Sequence, residues 1–133
     1  MRDSRKTDRE RGATIVEFAL ILPIMLMVMI GVIELAVAFN RQQGLHAAAR
    51  EGAREGSIPT ATQTDIEDRV DAALVGVPLD GAPVVIITPN VTTPCDSAAN
   101  VVVQVRATAV VKIPFWGNES YTLEGRGDFK CES

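Results

Sequence analysis

The stretch FALILPIMLMVMIGVI, residues 18–33, contains sixteen consecutive residues without a charge and decides how this chain is organised. The apolar pattern continues past Glu34 to Phe39, so residues 15–39 form an apolar segment of 25 positions. As an α-helix this segment would be about 37 Å long, which exceeds the roughly 30 Å hydrocarbon core of a bilayer. We therefore predict a transmembrane helix that contacts the lipid bilayer.

A cleaved secretory signal is the alternative interpretation of this segment. Such a signal also begins with basic residues, but its apolar region spans only about 7–15 residues and ends at a small-residue cleavage site. Here the apolar segment is longer, and residues 40–43 read NRQQ. We therefore expect the helix to be retained. Residues 1–12 hold five basic and three acidic residues, which favours a cytoplasmic amino terminus and an extracytoplasmic carboxyl-terminal part.

The helix is predicted to continue beyond the bilayer as a stalk. Residues 41–55 are rich in good helix formers, and Gly56 supplies a stop signal. A helix over residues 13–55 would be about 64 Å long, far more than a bilayer requires. Pro23 lies inside the span and is expected to bend the helix. A seam of small and apolar residues favours packing of the stalk against another helix: Leu35, Phe39, Leu45, Ala48, Ala49, Gly52 and Ala53.

Residues 57–133 are predicted to form one small domain. Thr64 and Glu67 fit a capping box that begins a helix ending near residue 75. Val84–Thr88 and residues 100–112 have the composition and alternation of strands, with the second strand central. A third strand is predicted within residues 121–131, after a turn at 114–117. The fold class is therefore α+β: a long amino-terminal helix (leader 1–12, membrane and stalk helix 13–56), then a short helix packed on an antiparallel sheet of about three strands.

The composition excludes several function classes. A net charge of −4 offers no basic face for a phosphate backbone, so no nucleic-acid partner is expected. The chain has a single histidine, in the stalk, and no Gly-rich phosphate loop or paired-ligand metal motif, so we expect neither an enzyme nor a cofactor. Cys95 and Cys131 both lie in the domain expected outside the cytoplasm, and we predict a disulfide between them.

The residues just before the span resemble a known processing signal. Glu10-Arg11-Gly12 is followed, five residues after the glycine, by the acid Glu17 and the aromatic Phe18. This arrangement is similar to the class III signal of type IV prepilins, in which a membrane-embedded prepilin peptidase cuts after a glycine. The resemblance implies cleavage between Gly12 and Ala13 and retention of Glu17 as the fifth residue of the product.

The resemblance is closer to the TadE-like proteins of the tight-adherence (Flp) pilus system. The residues that carry it are RGA at 11–13, VEFAL at 16–20, LP at 22–23, GVIEL at 31–35 and AAAREGAR at 47–54. It implies a minor pilin or pilus-assembly subunit that contacts other pilin-like subunits through its amino-terminal helix. An uncleaved membrane anchor with a partner-binding extracytoplasmic domain remains the alternative, because both functions use the same helix.

Two acids within the apolar segment are candidate functional residues. A carboxylate near hydrocarbon is costly, by about 2.5–3.5 kcal/mol at a helix centre and less near the interface. Cleavage would create an amine at Ala13, and pairing of that amine with Glu17 of a neighbouring subunit would offset this cost and set the register of assembly. Glu34, the second acid, either pairs similarly or marks the interface.

Overall fold

A computed structural model describes residues 4–89, 92–97, 99–113 and 117–131 of the chain. It contains three helices and three strands in these residues: α1 (Ser4–Gly56), α2 (Gln63–Ala73), β1 (Val84–Thr88), α3 (Pro94–Ser97), β2 (Asn100–Ile113) and β3 (Gly117–Lys130). The strands form one antiparallel sheet in the order β1-β2-β3. The predicted α+β class, the three strands and the central position of β2 are confirmed.

The chain divides into two compact units, Met1–Leu35 and Ala36–Ser133. In the first unit, the described residues form helix alone. The second unit holds the rest of α1 together with α2, α3 and the sheet. The small domain therefore includes part of α1, whereas the sequence pattern placed its first residue at position 57.

The core of the second unit forms between α1, α2 and one face of the sheet. Its buried side chains alternate along β2, since Val101, Val103, Val105 and Ala107 are all buried while Arg106 and Thr108 are exposed. This is the alternation that the sequence predicts for a strand with one face in the core. The helices and flanking strands contribute the remaining core residues: Leu45, Ala48, Ala49, Ala53, Ile66, Val70, Leu74, Ile87 and Leu123.

The packing of the stalk residues corrects the predicted seam. Leu45, Ala48, Ala49 and Ala53 are buried in the core of the chain's own domain, so this part of α1 is not a free stalk awaiting another helix. Leu35 and Phe39 do not join them, with 71% and 63% of their surface exposed. The small residues bring the α1 backbone close to α2 and to the sheet, so the helix that the seam packs against belongs to the chain's own domain.

Two glycines of β3 make this close approach possible. A Cβ on Gly125 would overlap the carbonyl of Leu45, and a Cβ on Gly127 would overlap the carbonyl of Ala49. The obstructing atoms belong to the helix backbone, which cannot rotate away as a side chain can. The two positions therefore need glycine because α1 lies directly against the strand.

The start of α2 lies two residues before the predicted position. Thr62, not Thr64, is the N-cap, and Asp65, not Glu67, completes the capping box. The Thr62 hydroxyl accepts from the Asp65 amide at 3.3 Å, and the Asp65 carboxylate accepts from the Thr62 amide at 2.8 Å. Residues 62–65, TQTD, have the same spacing as the predicted capping box at residues 64–67, with Asp in place of Glu. Two overlapping capping motifs were therefore possible, and the earlier one forms.

The amino-terminal boundary of α1 also differs from the prediction. The helix begins at Ser4 rather than near Ala13, because the intervening residues are mostly Arg, Lys and Glu, which have high helix propensity, and no proline interrupts them. Residues 1–3 of the predicted leader, and residues 114–116 of the predicted turn between β2 and β3, lie outside the described residues.

Candidate functional site

The candidate processing residues lie on a continuous helix. Gly12 and Ala13 are both exposed and both within α1. A Cβ built on Gly12 would meet no atom within 4 Å, so no close packing requires glycine there. Glycine nevertheless weakens a helix interior by about 1 kcal/mol relative to alanine. The α1 backbone should therefore unwind more easily at Gly12 than at the neighbouring residues.

Glu17 lies on the same face of α1 as Ala13, because residues four apart are about one turn, or 6 Å, apart along a helix. Both residues are exposed, as is Phe18 next to the acid. An amine created at Ala13 would thus lie within one turn of the Glu17 carboxylate of its own chain. The arrangement can hold one positive and one negative charge at the beginning of an apolar helix.

The surface of α1 on either side of Glu17 along the chain is apolar all round the helix. Its 18 large hydrophobic residues between positions 15 and 39 are each at least 36% exposed. A water-soluble helix normally hides one apolar face and exposes a polar one, whereas a helix that is apolar all round needs lipid or protein around it. By length and composition α1 is one candidate membrane span among the residues searched, Gly12–Gly56, with a mean hydropathy of 2.7 in its most apolar 18-residue window.

The other two predicted residues of the span occupy different positions. Pro23 lies within α1, which continues through it; the expected bend at this residue remains a prediction. Glu34 is half-buried, whereas Ile33 and Leu35 beside it are exposed. The second acid therefore faces a more enclosed environment than Glu17 does, and its role also remains a prediction.

Side chains from α1 cap the outer edge of β3. Gln42 Nε2 donates to the Glu124 carbonyl oxygen at 2.6 Å, and the Arg126 amide donates to Nδ1 of His46 at 3.3 Å. These backbone groups point away from β2 and would otherwise be open to pairing with another strand. His46 is half-buried and serves as an edge cap, which no local sequence signal could reveal.

The opposite edge of the hairpin is capped by Asp80. If the β1–β2 register is extended four residues beyond the Val84–Arg106 pair, Asp80 comes opposite Val110. The Asp80 carboxylate accepts from the Val110 amide at 2.8 Å and forms an ion pair with Arg41 at 2.8 Å. The side chain thus replaces the missing strand neighbour and joins the edge of β2 to α1.

The two cysteines lie at disulfide distance at the other end of the sheet. Cys95 in α3 and Cys131 after β3 have sulfur atoms 1.95 Å apart and Cα atoms 5.6 Å apart. The Cys131 amide also donates to the Ala99 carbonyl oxygen at 3.0 Å. These contacts tie the segment before β2 to the end of β3.

The remaining chemistry is sparse in the part of the chain that the structure describes. No group of three His, Cys, Asp or Glu residues there could hold a metal ion. Hydrogen bonds from the Thr62 side chain and backbone lower the pKa of the Asp65 carboxyl below its ordinary value. That change belongs to a helix cap and points to no reaction.

These features define a class: a candidate membrane helix, apolar on every side, followed in the chain by a small α+β domain whose two cysteines lie at disulfide distance. Within that class, the family model described as TadE-like protein matches residues 12–54, about a third of the chain. The resemblance drawn from the same residues is confirmed, and it indicates a protein associated with a Tad pilus. No curated protein and no solved structure gave a significant match.

Proposed function

We propose that this chain is a minor pilin or assembly subunit of a tight-adherence pilus, without enzymatic activity. The helix anchors the chain in the bacterial cytoplasmic membrane, with its amino terminus in the cytoplasm and its α+β domain outside. The observation that carries the proposal is the all-round apolar surface of α1 within the TadE-like segment. Such a surface can leave lipid only by entering a bundle of similar helices, as assembly with other pilin-like subunits requires.

Processing at Gly12–Ala13 by a prepilin peptidase is the first step of the proposed function. It removes the basic leader and frees an amine at Ala13. Glu17 of a neighbouring subunit then pairs with this amine, so that two charges that are costly in an apolar bundle neutralise each other. Pairing within one chain is also possible at one-turn spacing, so axial stagger between subunits decides which pair forms.

The second candidate function is an uncleaved membrane anchor whose outer domain binds an envelope partner. One observation favours it: α1 continues from Ser4 through Gly12 without a break. A peptidase needs an extended backbone at the bond that it cuts, so the helix must first open at Gly12. The two functions therefore differ in whether the leader remains attached.

Intact-mass measurement of protein purified from its native membrane tests the choice. The minor pilin is expected to have lost residues 1–12 and to begin at Ala13. A mass that includes the leader, in cells with an active prepilin peptidase, would overturn the pilin assignment and leave the uncleaved anchor.

Glu17→Gln separates processing from assembly in the same cells. The variant is expected to insert and to be cut normally, but to be recovered with pilus partners in much smaller amounts because one member of the charge pair is missing. Glu34→Gln makes the same chemical change in the same helix and shows separately whether the second acid also takes part in assembly. Normal recovery of the Glu17→Gln protein with its partners would refute the pairing role.

A further inference from the structure

We propose that the outer faces of α1 and α2 bind a second copy of this chain, with α1 of each copy lying over α2 of the other. Both helices pack on the same face of the sheet and contribute to one core. The contact uses only the part of α1 that belongs to the second unit, Ala36–Ser133. The inference goes beyond the proposed function, because it applies equally to a cleaved subunit and to an uncleaved anchor.

Two glycines of α1 show how the two helices are aligned. A Cβ on Gly52 would meet the Val70 side chain, and a Cβ on Gly56 would meet the Ile66 side chain. Residue numbers therefore rise along α1 as they fall along α2, so the helices are antiparallel, and the numbers in each contacting pair add up to 122. Both helices rise about 1.5 Å per residue, so the same alignment holds along the length of α2.

The outer face of α1 in this unit is polar and basic. Its exposed residues recur at intervals of four, three and four positions, which places them on one side of the helix: Gln43, Ala47, Arg50 and Arg54. Among the described residues, Arg50 takes part in no ion pair, and Arg54 has a 3.9 Å contact with Glu51 while 69% of its side chain is exposed. Both positive charges are therefore available to a partner.

The outer face of α2 is acidic. Asp68, Asp71 and Ala72 are exposed, and Val75 in the turn after the helix has 84% of its surface exposed. The buried Val70 lies on the other side of α2, in the core. Neither aspartate forms an ion pair in the part of the chain that the structure describes. This face offers a partner two negative charges and one apolar side chain.

A two-fold axis parallel to the helices brings these unlike faces together. Such an axis turns one helical layer to face the other without moving any residue along the helix direction. Each α1 then lies over α2 of the second copy, and the four helices are arranged as in a four-helix bundle. The α1 helices of the two copies point in the same direction. The contact is self-complementary, as a two-fold interface requires.

Under this symmetry the charges match residue by residue. The alignment of α1 with α2 puts three sets of residues at the same level: Arg54 with Asp68, Arg50 with Ala72 and its neighbour Asp71, and Ala47 with Val75. Each arginine thus faces an aspartate of the second copy, and the exposed valine faces a small side chain that lets the helices approach. The alternative contact of α1 with α1 would oppose arginine to arginine, which repulsion disfavours.

The size of the contact sets its strength. α2 has 11 residues and is therefore about 16 Å long, so the two faces cover less area than a stable, permanent dimer needs. We therefore expect a transient contact whose partner and register are selected by charge. Its detection requires covalent capture in membranes that contain the full-length protein.

Crosslinking between two differently tagged full-length chains tests the contact. One chain carries Ala47→Cys and the other Val75→Cys, so a covalent product with both tags must join two copies. A short bifunctional maleimide added to isolated membranes should give this product. Val84→Cys replaces Val75→Cys in the control, because Val84 is also exposed but lies on the sheet face away from the buried Ile87 and the helices. No excess over this control would overturn the proposal.

Two further measurements test the geometry and the charges. Ala47→Cys chains alone should give less product than the Ala47→Cys and Val75→Cys mixture, and a larger yield would indicate α1 against α1 and overturn the proposal. Arg54→Asp in both chains should cause a several-fold loss of the mixed product, because like charges then meet. Adding Asp68→Arg should restore it, since the pair is opposite again with its signs exchanged. A loss that this second change does not reverse would contradict the pairing.

Discussion

At the scale of single residues, two glycines decide whether α1 can lie against the sheet. Gly125 and Gly127 are buried, and a side chain at either would overlap the helix backbone. Arg126, which lies between the two glycines, and Asp128, which follows Gly127, are exposed. The tripeptide Arg126-Gly127-Asp128 thus lies within a strand, with its glycine buried against α1, where it serves packing.

Gly127→Ala is expected to destabilise the domain by more than about 2 kcal/mol, because the new Cβ would meet the Ala49 carbonyl and lie 2.7 Å from the Arg50 Cα. Urea unfolding of the full chain in detergent micelles measures the loss. Gly81→Ala is the control, since a Cβ there meets nothing within 4 Å, and it should change stability by less than about 0.5 kcal/mol. Equal effects of the two changes would contradict the close approach.

At the scale of elements, α2 is held at its start by a reciprocal cap. Thr62→Ala should cost about 0.5–2 kcal/mol of stability, the usual range for loss of an N-cap side chain. The pKa of Asp65 should also rise towards 3.8, because the largest cause of its lowering is the Thr62 side chain. Nuclear magnetic resonance titration of the Asp65 carboxyl measures this change directly.

The pH dependence of this cap has a definite sign. A carboxyl whose pKa is lowered in the folded state contributes stability that is fully present above 3.8 and is lost as the pH falls through the lower, folded value. Part of the difference in the free energy of unfolding between the wild type and Thr62→Ala comes from the Asp65 carboxylate. That part should therefore disappear in this acidic range. Thr60→Ala, an exposed change before the helix, is the control. An unchanged Asp65 pKa in the Thr62→Ala protein would refute the assignment.

At the scale of the whole molecule, the sheet has only three strands in the described residues, so a covalent bond between its ends can contribute a large share of the stability. Cys95 and Cys131 are 36 positions apart in the sequence. The loop between them includes the whole of β2 and β3. Closing a loop of that size stabilises a fold by about 4 kcal/mol in the chain-entropy model. This amount is comparable with the net stability of a small domain.

Cys95→Ser/Cys131→Ser protein is therefore expected to lose about 4 kcal/mol of stability, or to fail to fold at growth temperature, as measured by urea unfolding. Thiol alkylation of the wild-type protein gives an independent measurement that does not depend on folding of the variant. Neither thiol should react before reduction, and both should react after it. Equal reactivity before and after reduction would refute the disulfide.

The sequence by itself determined the features that depend on neighbours along the chain. An uncharged run of sixteen residues predicts an apolar helix, and alternation along β2 predicts a strand with one buried face, because each pattern repeats with the period of its element. The TadE-like residues are likewise contiguous. The boundaries moved at the start of α1, at the cap of α2, where two capping motifs competed, and at the start of β3, which begins at Gly117 rather than within residues 121–131. The short helix α3 was not predicted.

Only the tertiary structure decided what the second half of α1 packs against. Small residues at helical spacing permit close approach to any backbone, so the pattern could not show that the partners would be the chain's own α2 and sheet. The contacts that decide it join residues far apart in sequence: Arg41 to Asp80 across 39 positions, and Gln42 to Glu124 across 82. Such pairs depend on where the folded chain brings distant backbones together, and local periodicity carries no information about that.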